Sequence, residues 1–511
     1  MNTEDQSDVI AFLEALARDR DPAAERIDTH GAHLFISGDE AWKLKRAVWY
    51  PFMDLSDAAK RRDCCVAEVD LNRRTAPDLY LGVGAVTRGP GGALAIDGEG
   101  TAVDWIVRMR RFDQSGLLDR MADSGALPLE LMPRLAQSIA SFHAAAKPRP
   151  DKGGSAAMHW IVDDNMAEFR EMRSLIDAAT VDALAAASQA QLARVDPLLD
   201  ARRAAGWVRR CHGDLHLRNV VLIDGRPTLF DCIEFSDDIA CVDVLYDLAF
   251  LLMDLWKRGL AAHANALFNA YLAACDQRDG LAALPLFLSA RASVRAKVAG
   301  LEAMADGPSG SPGVREAIAD ELAAAIRFAT PVQPRLVAVG GLSGSGKTTL
   351  AHALAPEFGP APGAVVLRSD LERKRMLGVA PTEPLPESGY ASEVSKRVYR
   401  LLMDLAASCL AQGHGAVVDA VFDRAADRAA VAQVAADLGL PFTGFWLDAP
   451  EATLVARVRA RRGDASDATP AVIRSQLATD PGEISWVRLD AGRGSDAVAA
   501  DARRALVDML A

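Results

Sequence analysis

The eight residues Gly341-Leu342-Ser343-Gly344-Ser345-Gly346-Lys347-Thr348 constrain this chain more than any other stretch. They match G-x-x-x-x-G-K-[ST] in full, a pattern expected by chance only ~0.02 times in a chain of this length. The residues before it, Arg335 to Gly340, read as a short buried strand, and Thr348 to Leu354 read as the first turns of a helix. In that context a glycine-rich loop curls so that successive N–H groups face phosphate oxygens, and the helix N-terminus adds partial positive charge. Gly341, Gly344 and Gly346 permit the curl, Ser343 and Ser345 lie between them, and Thr349 continues the helix. Lys347 can bridge the outer phosphates and the Thr348 hydroxyl can hold Mg²⁺. This part of the chain is therefore expected to bind a nucleoside triphosphate.

At 511 residues the chain is too long for one ordinary core, and two or three domains are expected. The net charge of −12 argues against a surface built for nucleic acid or anionic membrane, although it leaves a local basic cleft open in the C-terminal domain. Seven cysteines at irregular spacing, with no C-x-x-C, read as reduced thiols. The acidic opening residues carry no apolar core of a secretion signal, and the most apolar run, Val244 to Trp256, is interrupted by Asp247 and Asp254 and too short to span a bilayer. Those two acids read as the polar side of a buried helix. A cytoplasmic protein without a membrane segment is expected.

Residues 8–19 carry Val9, Phe12, Leu13 and Leu16 at amphipathic-helix spacing. His33 to Lys45 reads as two strands around the turn 37–40, and Ser56 to Thr75 as a charged helix with Ser56 as N-cap. Strands follow at 81–87, 93–96 and 102–109, with a hairpin turn at Gly89-Pro90-Gly91-Gly92. Residues 127–205 read as helical. Short strands at 220–223 and 228–230 precede further helices to about Met304. A Gly/Pro/Ser-rich stretch, 306–313, reads as a loop or hinge, and a helix at 314–328 leads to the P-loop strand. Strands at 335–340, 364–368, 415–420 and 442–447 alternate with helices, which indicates a parallel sheet covered on both faces.

A second phosphate kit lies at 212–219, His-Gly-Asp-Leu-His-Leu-Arg-Asn, followed by Asp231. Asp214 can accept a hydroxyl proton, while Asn219 and Asp231 can hold Mg²⁺. The separation of five from Asp to Asn parallels the kinase catalytic loop H-R-D-x-x-x-x-N. The segment resembles the aminoglycoside phosphotransferase and choline kinase branch of the protein-kinase-like fold, whose loop reads H-G-D-x-H-x-x-N. That resemblance implies Asp214 as catalytic base, Asn219 and Asp231 as metal ligands, and His212 and His216 as loop supports. A kinase also needs a strand lysine and a helix glutamate. Lys43 and Lys45 point to one face of their strand. Lys43 lies nearer the strand centre and is preferred, with Lys45 left open, and Glu68 is the candidate partner. Residues 107–112 stand where a hinge between lobes would lie. No G-x-G-x-x-G precedes the lysine strand; Thr29 to His33 stands there instead.

In the P-loop half, Asp370 sits just past a strand end, where open α/β sheets present ligand-binding groups, and Ser369-Asp370 also reads as a helix N-cap. Asp370 is placed to act as base for an acceptor hydroxyl, with Arg373 steadying a phosphate. Asp419 ends an apolar strand and could act through Mg²⁺. Arg457, Arg461 and Arg462, followed by a polar loop at 464–468, resemble the mobile lid of nucleotide kinases. Together these features resemble the small P-loop kinases related to polynucleotide 5′-kinase, gluconate kinase and zeta-toxin.

The expected fold is an α+β protein-kinase-like bilobal domain followed by an α/β P-loop domain with a parallel sheet. The expected divisions are a small lobe at 1–112, a helical lobe at 113–313, a linker helix and hinge at 314–333, and the P-loop domain at 334–511. Both resemblances imply ATP and Mg²⁺ as cofactors and small-molecule hydroxyl acceptors, with Asp214, Asp370, Lys347, Arg373 and Arg461 catalytic. Two other readings stay open at this point: an ATP-binding regulatory module fused to one active kinase, and a polynucleotide 5′-hydroxyl kinase.

Overall fold

The computed structural model describes residues 4–29, 31–50, 53–305, 312–461 and 463–508. His30, Arg462 and residues 306–311 of the Gly/Pro/Ser-rich stretch lie outside them. The chain divides into two compact units, one of residues 1–161 and 196–254, the other of 162–195 and 255–511.

The first unit holds a six-stranded antiparallel sheet of β1 (Glu25–Asp28), β2 (Ala32–Ser37), β3 (Glu40–Lys45), β4 (Tyr80–Arg88), β5 (Leu94–Ile96) and β6 (Thr101–Arg110), in the order β1-β2-β3-β6-β4-β5. Helix α1 (Ser7–Arg20) buries Val9, Leu13 and Ala17 against Phe35, Trp42 and Leu44 of the sheet. Helix α2 (Ala58–Asn72) covers β6 through Cys65 and Val69. Its N-cap is Asp57, whose carboxylate accepts from Lys60 N, and not Ser56; the ionised acid is the better acceptor at a helix N-terminus. Among the buried ion pairs that tie α2 to the sheet, Arg61 Nε donates to Asp104 Oδ1 at 2.9 Å, and Gln6 Nε2 donates to the other oxygen at 2.7 Å.

The helical stretch read as 127–205 is broken into α3 (Met132–Ala145) and helices at 154–171 and 178–204. Four short strands follow: β7 (Val208–Arg210), β8 (Val220–Ile223), β9 (Arg226–Leu229) and β10 (Cys241–Asp243). They form two antiparallel ribbons, β8 with β9 and β7 with β10. Helix α4 (Val244–Lys257) contains the apolar run with its two acids. Among the described residues no helix is long and apolar enough to cross a membrane, and no disulfide joins the cysteines.

The second unit contains α5 (Ala261–Ala274), α6 (Leu284–Ala305), α7 (Pro312–Ala329) and a five-stranded, wholly parallel sheet. Its strands are β11 (Leu336–Gly341), β12 (Val365–Arg368), β13 (Ala416–Asp419), β14 (Phe442–Asp448) and β15 (Val487–Asp490), in the order β12-β13-β11-β14-β15. Every residue of β11 is buried, as a central parallel strand requires. The intervening helices are α8 (Lys347–Leu354), α9 (Ser369–Met376), α10 (Ser392–Ala411), α11 (Ala425–Asp437), α12 (Glu451–Ala460) and α13 (Pro470–Leu477), and α14 (Ser495–Asp508) closes the chain. β15 has no counterpart in the sequence reading; it is a four-residue edge strand with alternating burial.

The outer edge of β12 is completed by α5. Asn269 Oδ1 accepts from Val366 N at 2.7 Å, and the side-chain amides of Asn265 and Asn269 donate to Ala364 O at 3.1 and 3.2 Å. Two asparagines one helical turn apart thus replace a neighbouring strand, satisfying an edge that would otherwise be exposed. Behind α9, buried Arg278 donates to Glu372 at 2.9 Å.

Candidate active sites

In the first unit the sheet presents Lys43 from β3 toward α2. Its Nζ donates to Glu68 Oε1 at 2.9 Å and to Asp231 Oδ1 at 2.5 Å. Burial alone would push the ammonium down, but the Asp231 and Glu68 carboxylates outweigh it and hold Lys43 above its ordinary range. Burial raises the Asp231 carboxyl and Lys43 lowers it, with a net fall, so Asp231 is an anion. Lys45 faces the same way but pairs with Glu68 and Glu234. Where β1 gives way to β2, Thr29 N donates to Ala32 O at 2.9 Å.

The loop after β7 carries the acid–amide pair. Asn219 Nδ2 donates to Asp214 Oδ2 and to Asp214 O, both at 2.9 Å. His216 Nε2 lies 3.3 Å from Asp214 Oδ2, and its ring packs edge-on against Phe250. His212 is buried, which disfavours its charged form; its neutral ring Nε2 bonds Phe230 O at 2.9 Å. Asp231 follows Phe230 and takes the left-handed backbone region at φ 61°. Asp214 is thus held to Asn219 and Asp231 to Lys43, and the Asp214 charge acts on the Asp231 carboxyl.

Two supports went unrecognised in the sequence. Asp247 Oδ1 accepts from Gly213 N at 2.8 Å, Asp247 Oδ2 accepts from His212 N at 3.2 Å, and His143 Nε2 lies 2.9 Å from the same oxygen. Two turns further along the same face of α4, Asp254 Oδ2 accepts from Leu217 N at 3.0 Å. The two acids interrupting the apolar run are thus the clamps of the loop that bears Asp214. His143, Cys211 and Asp247 place ligand atoms within 4.8 Å of one another. The Asp247 oxygens already serve His143 and two backbone amides, so the cluster acts as an anchor for the loop.

In the second unit β11 runs into the glycine loop and α8 begins at Lys347. Gly341, Gly344 and Gly346 have φ of 134°, 83° and 97°. A Cβ at Gly344 would lie 2.7 Å from Leu454 O, so this glycine is required by space as well as by conformation. A cavity of about 480 Å³ opens above the loop, lined by Ser343, Gly344, Gly346, Lys347, Thr348, Thr349, Asp370, Arg373, Asp419 and Arg461 among others. Gly341 and Ser345 are buried in the loop's own turn. Thr348 Oγ1 donates to Asp419 Oδ2 at 2.5 Å, pairing a hydroxyl and a carboxylate suited to a hard divalent cation. The left-handed glycines, the half-buried lysine and this oxygen pair fit a triphosphate with Mg²⁺. Lys347 Nζ donates to Leu342 O at 3.0 Å, and burial pushes its ammonium down.

Asp370 lies in the first turn of α9, inside the cavity. Burial and then the Asp419 charge push its carboxyl up, which primes it to take a proton. No Ser369 side-chain cap bond forms, since Ser369 is already the first residue of α9. Arg373 is buried, donates to Gly389 O at 2.9 Å and Ser395 Oγ at 3.2 Å, and stacks over Tyr390. Arg461 follows α12 and lies 3.3 Å from Asp464 Oδ2, whose other oxygen receives Arg368 at 2.6 Å. Asp467 joins three segments, accepting from Lys374, Leu385 N and Tyr390 Oη. Gln476 Oε1 accepts from Ser343 N at 2.9 Å. Arg368, Asp464, Asp467 and Gln476 carry no motif, and their roles come only from the folded geometry.

Residues 101–284 match the family model described as phosphotransferase enzyme family, and residues 336–480 match that of an AAA domain. An uncharacterized protein of Mycobacterium tuberculosis is 29% identical over 494 residues, covering 92% of this chain and 93% of its own. Among solved structures, a choline/ethanolamine kinase family protein from Mesorhizobium loti is 14% identical, with 63% of this chain and 99% of that one covered at a TM-score of 0.38. A gluconokinase from Sinorhizobium meliloti is 22% identical, with 35% and 95% covered at a TM-score of 0.25. An APS kinase from Mycobacterium tuberculosis is 24% identical, with 34% and 99% covered at a TM-score of 0.26.

Proposed function

We propose, from a chain that joins a phosphotransferase-family domain within 101–284 to a P-loop kinase domain within 336–480, that each transfers the γ-phosphoryl group of ATP to a hydroxyl acceptor. The observation that carries the reading is the P-loop cavity. It gathers a phosphate lysine (Lys347), a cation-binding pair (Thr348 and Asp419) and a carboxyl with raised proton affinity (Asp370) in about 480 Å³. A carboxyl so placed can accept the acceptor's hydroxyl proton, while Arg461 faces the charge that builds on the transferred group. Thr348 and Asp419 would hold Mg²⁺, which supplies charge neutralisation across the phosphates. The cavity is also lined by Tyr390, Tyr399, Asp423 and Asp427, polar side chains able to meet a small hydroxyl compound.

In the first unit Asp214 takes the base role, Asn219 and Asp231 would hold the metal, and Lys43, held by Glu68, would meet the nucleotide phosphates. The test is γ-phosphate release and transfer from ATP by the full chain, by Asp214→Ala, by Lys347→Ala and by the double variant. Each single variant is expected to lose part of the turnover and the double variant all of it. Wild-type turnover in the double variant would refute both assignments.

A further inference from the structure

The segment that carries Asp231 is tied down residue by residue. Asp231 N donates to Tyr80 Oη at 3.0 Å, Cys232 N to Asn72 Oδ1 at 2.9 Å, and Ile233 N to His212 O at 2.9 Å. Asn72 is itself fixed to α2, its Nδ2 donating to Glu68 O at 2.9 Å. The fourth residue, Glu234, is buried and receives Lys45 Nζ, with Cys64 Sγ donating at 3.2 Å. Lys45 in turn shares Glu68 with Lys43. Two parallel ion pairs thus run from β3 to this segment, Lys43 to Asp231 and Lys45 to Glu234, with Glu68 between the lysines.

The tie has a conformational reason. Asp231 holds φ 61°, a region a non-glycine residue keeps only when its surroundings over-determine it. Relaxation of that residue would swing its carboxylate away from Lys43. Lys45 has no free donor role toward a nucleotide, because burial and two carboxylates enclose it. We infer that Lys45 and Glu234 are positioning residues: their buried ion pair holds the 231–234 segment so that Asp231 stays on Lys43, while Lys43 alone meets the nucleotide. This rests on the first-unit site reading proposed above.

The experiment uses the full chain carrying Lys347→Ala, which removes the P-loop contribution, with Lys45→Met, Lys45→Arg, Glu234→Gln and Lys43→Met added singly. Two quantities are read: Asp214-dependent ATP turnover across a Mg²⁺ titration, and backbone amide exchange over residues 230–236. Lys45→Met and Glu234→Gln are expected to lower kcat about 10- to 100-fold with KM for ATP within about threefold. Both should shift the Mg²⁺ requirement upward and speed amide exchange over 230–236 at least tenfold. Lys45→Arg should stay within threefold of its parent, and Lys43→Met should raise KM for ATP. Amide exchange unchanged in both Lys45→Met and Glu234→Gln would overturn the inference whether or not turnover is measurable. Loss of all Asp214-dependent turnover in the Lys347→Ala parent would instead refute the first-unit activity and leave the exchange result to decide the positioning role.

Discussion

Asp247 is fully buried and serves three donors, the amides of His212 and Gly213 and the His143 ring. Replacing it with asparagine keeps the volume and removes the charge. One oxygen remains to accept, and the new Nδ2 must face a backbone N–H, donor against donor. Hydrogen bonds to a charged group contribute about 1.5–3 kcal/mol each, so losing one and weakening another costs the loop about 2–4 kcal/mol. Where amides exchange through local opening, that cost appears directly in the exchange rate. At 1.36 kcal/mol per decade, the amides of 212–217 in Asp247→Asn should exchange about 30- to 1000-fold faster than in the parent. Amides of β11, in the other unit, serve as the internal control. In a Lys347→Ala background the same variant should lose at least about tenfold in ATP turnover, since small misplacements of a base are expensive in rate. Exchange over 212–217 within threefold of the parent would show that the loop does not depend on this carboxylate, and the clamp argument would fail.

Two further outcomes follow from the second unit. Asp370 has its proton affinity raised by burial, so the ionised form needed of a base is lost earlier as pH falls than for an ordinary carboxyl near ~3.9. In an Asp214→Ala background the acid limb of turnover should therefore lie above that value. Asp370→Asn should abolish the limb along with most turnover, and should raise the melting temperature at neutral pH, where the ionised buried carboxyl opposes folding. That gain should vanish at pH values below the unfolded carboxyl's pKa, where both states are protonated; an acid limb unmoved in Asp370→Asn would refute the base assignment. Asn269→Ala removes the acceptor for Val366 N and a donor to Ala364 O, a loss of about 1–3 kcal/mol, and should show as faster amide exchange over 364–368 with β14 unchanged.

What could be read from the chain without its fold was whatever chemistry is local in sequence. Glycines at 341, 344 and 346 with Lys347 and Thr348 form a site within eight residues, and His212 to Asn219 place an acid and an amide on one loop. Strand order in the parallel sheet, the α5 edge and the acids of α4 depend on long-range pairing, so local patterns hold little trace of them. Even so, Asp247 and Asp254 left a usable signal. They stand seven apart, two helical turns on one face, in a run otherwise apolar and without a basic partner. A buried acid needs donors, and an apolar helix supplies none from its own side chains. Backbone amides of a loop are donors of that kind, and both carboxylates bond amides of the 212–219 loop.

β15 escaped the sequence reading for a different reason. Val487-Arg488-Leu489-Asp490 alternates apolar and polar over four residues, half the signal of a central strand, and its exposed side is solvated. Its place beside β14 is set by parallel pairing across α12 and α13, Phe445 to Val487 through Asp448 to Asp490. The same separation holds at the P-loop cavity. Lys347, Thr348 and Asp370 announce themselves, but Arg461 is aimed by Asp464, Arg373 by Gly389 and Ser395, and the segment 380–392 by Asp467. Groups that touch phosphate are restricted to few residue types and so leave a motif. Groups that aim them need only a hydrogen bond from the right direction, which many residue types can supply, and that freedom leaves no motif to read.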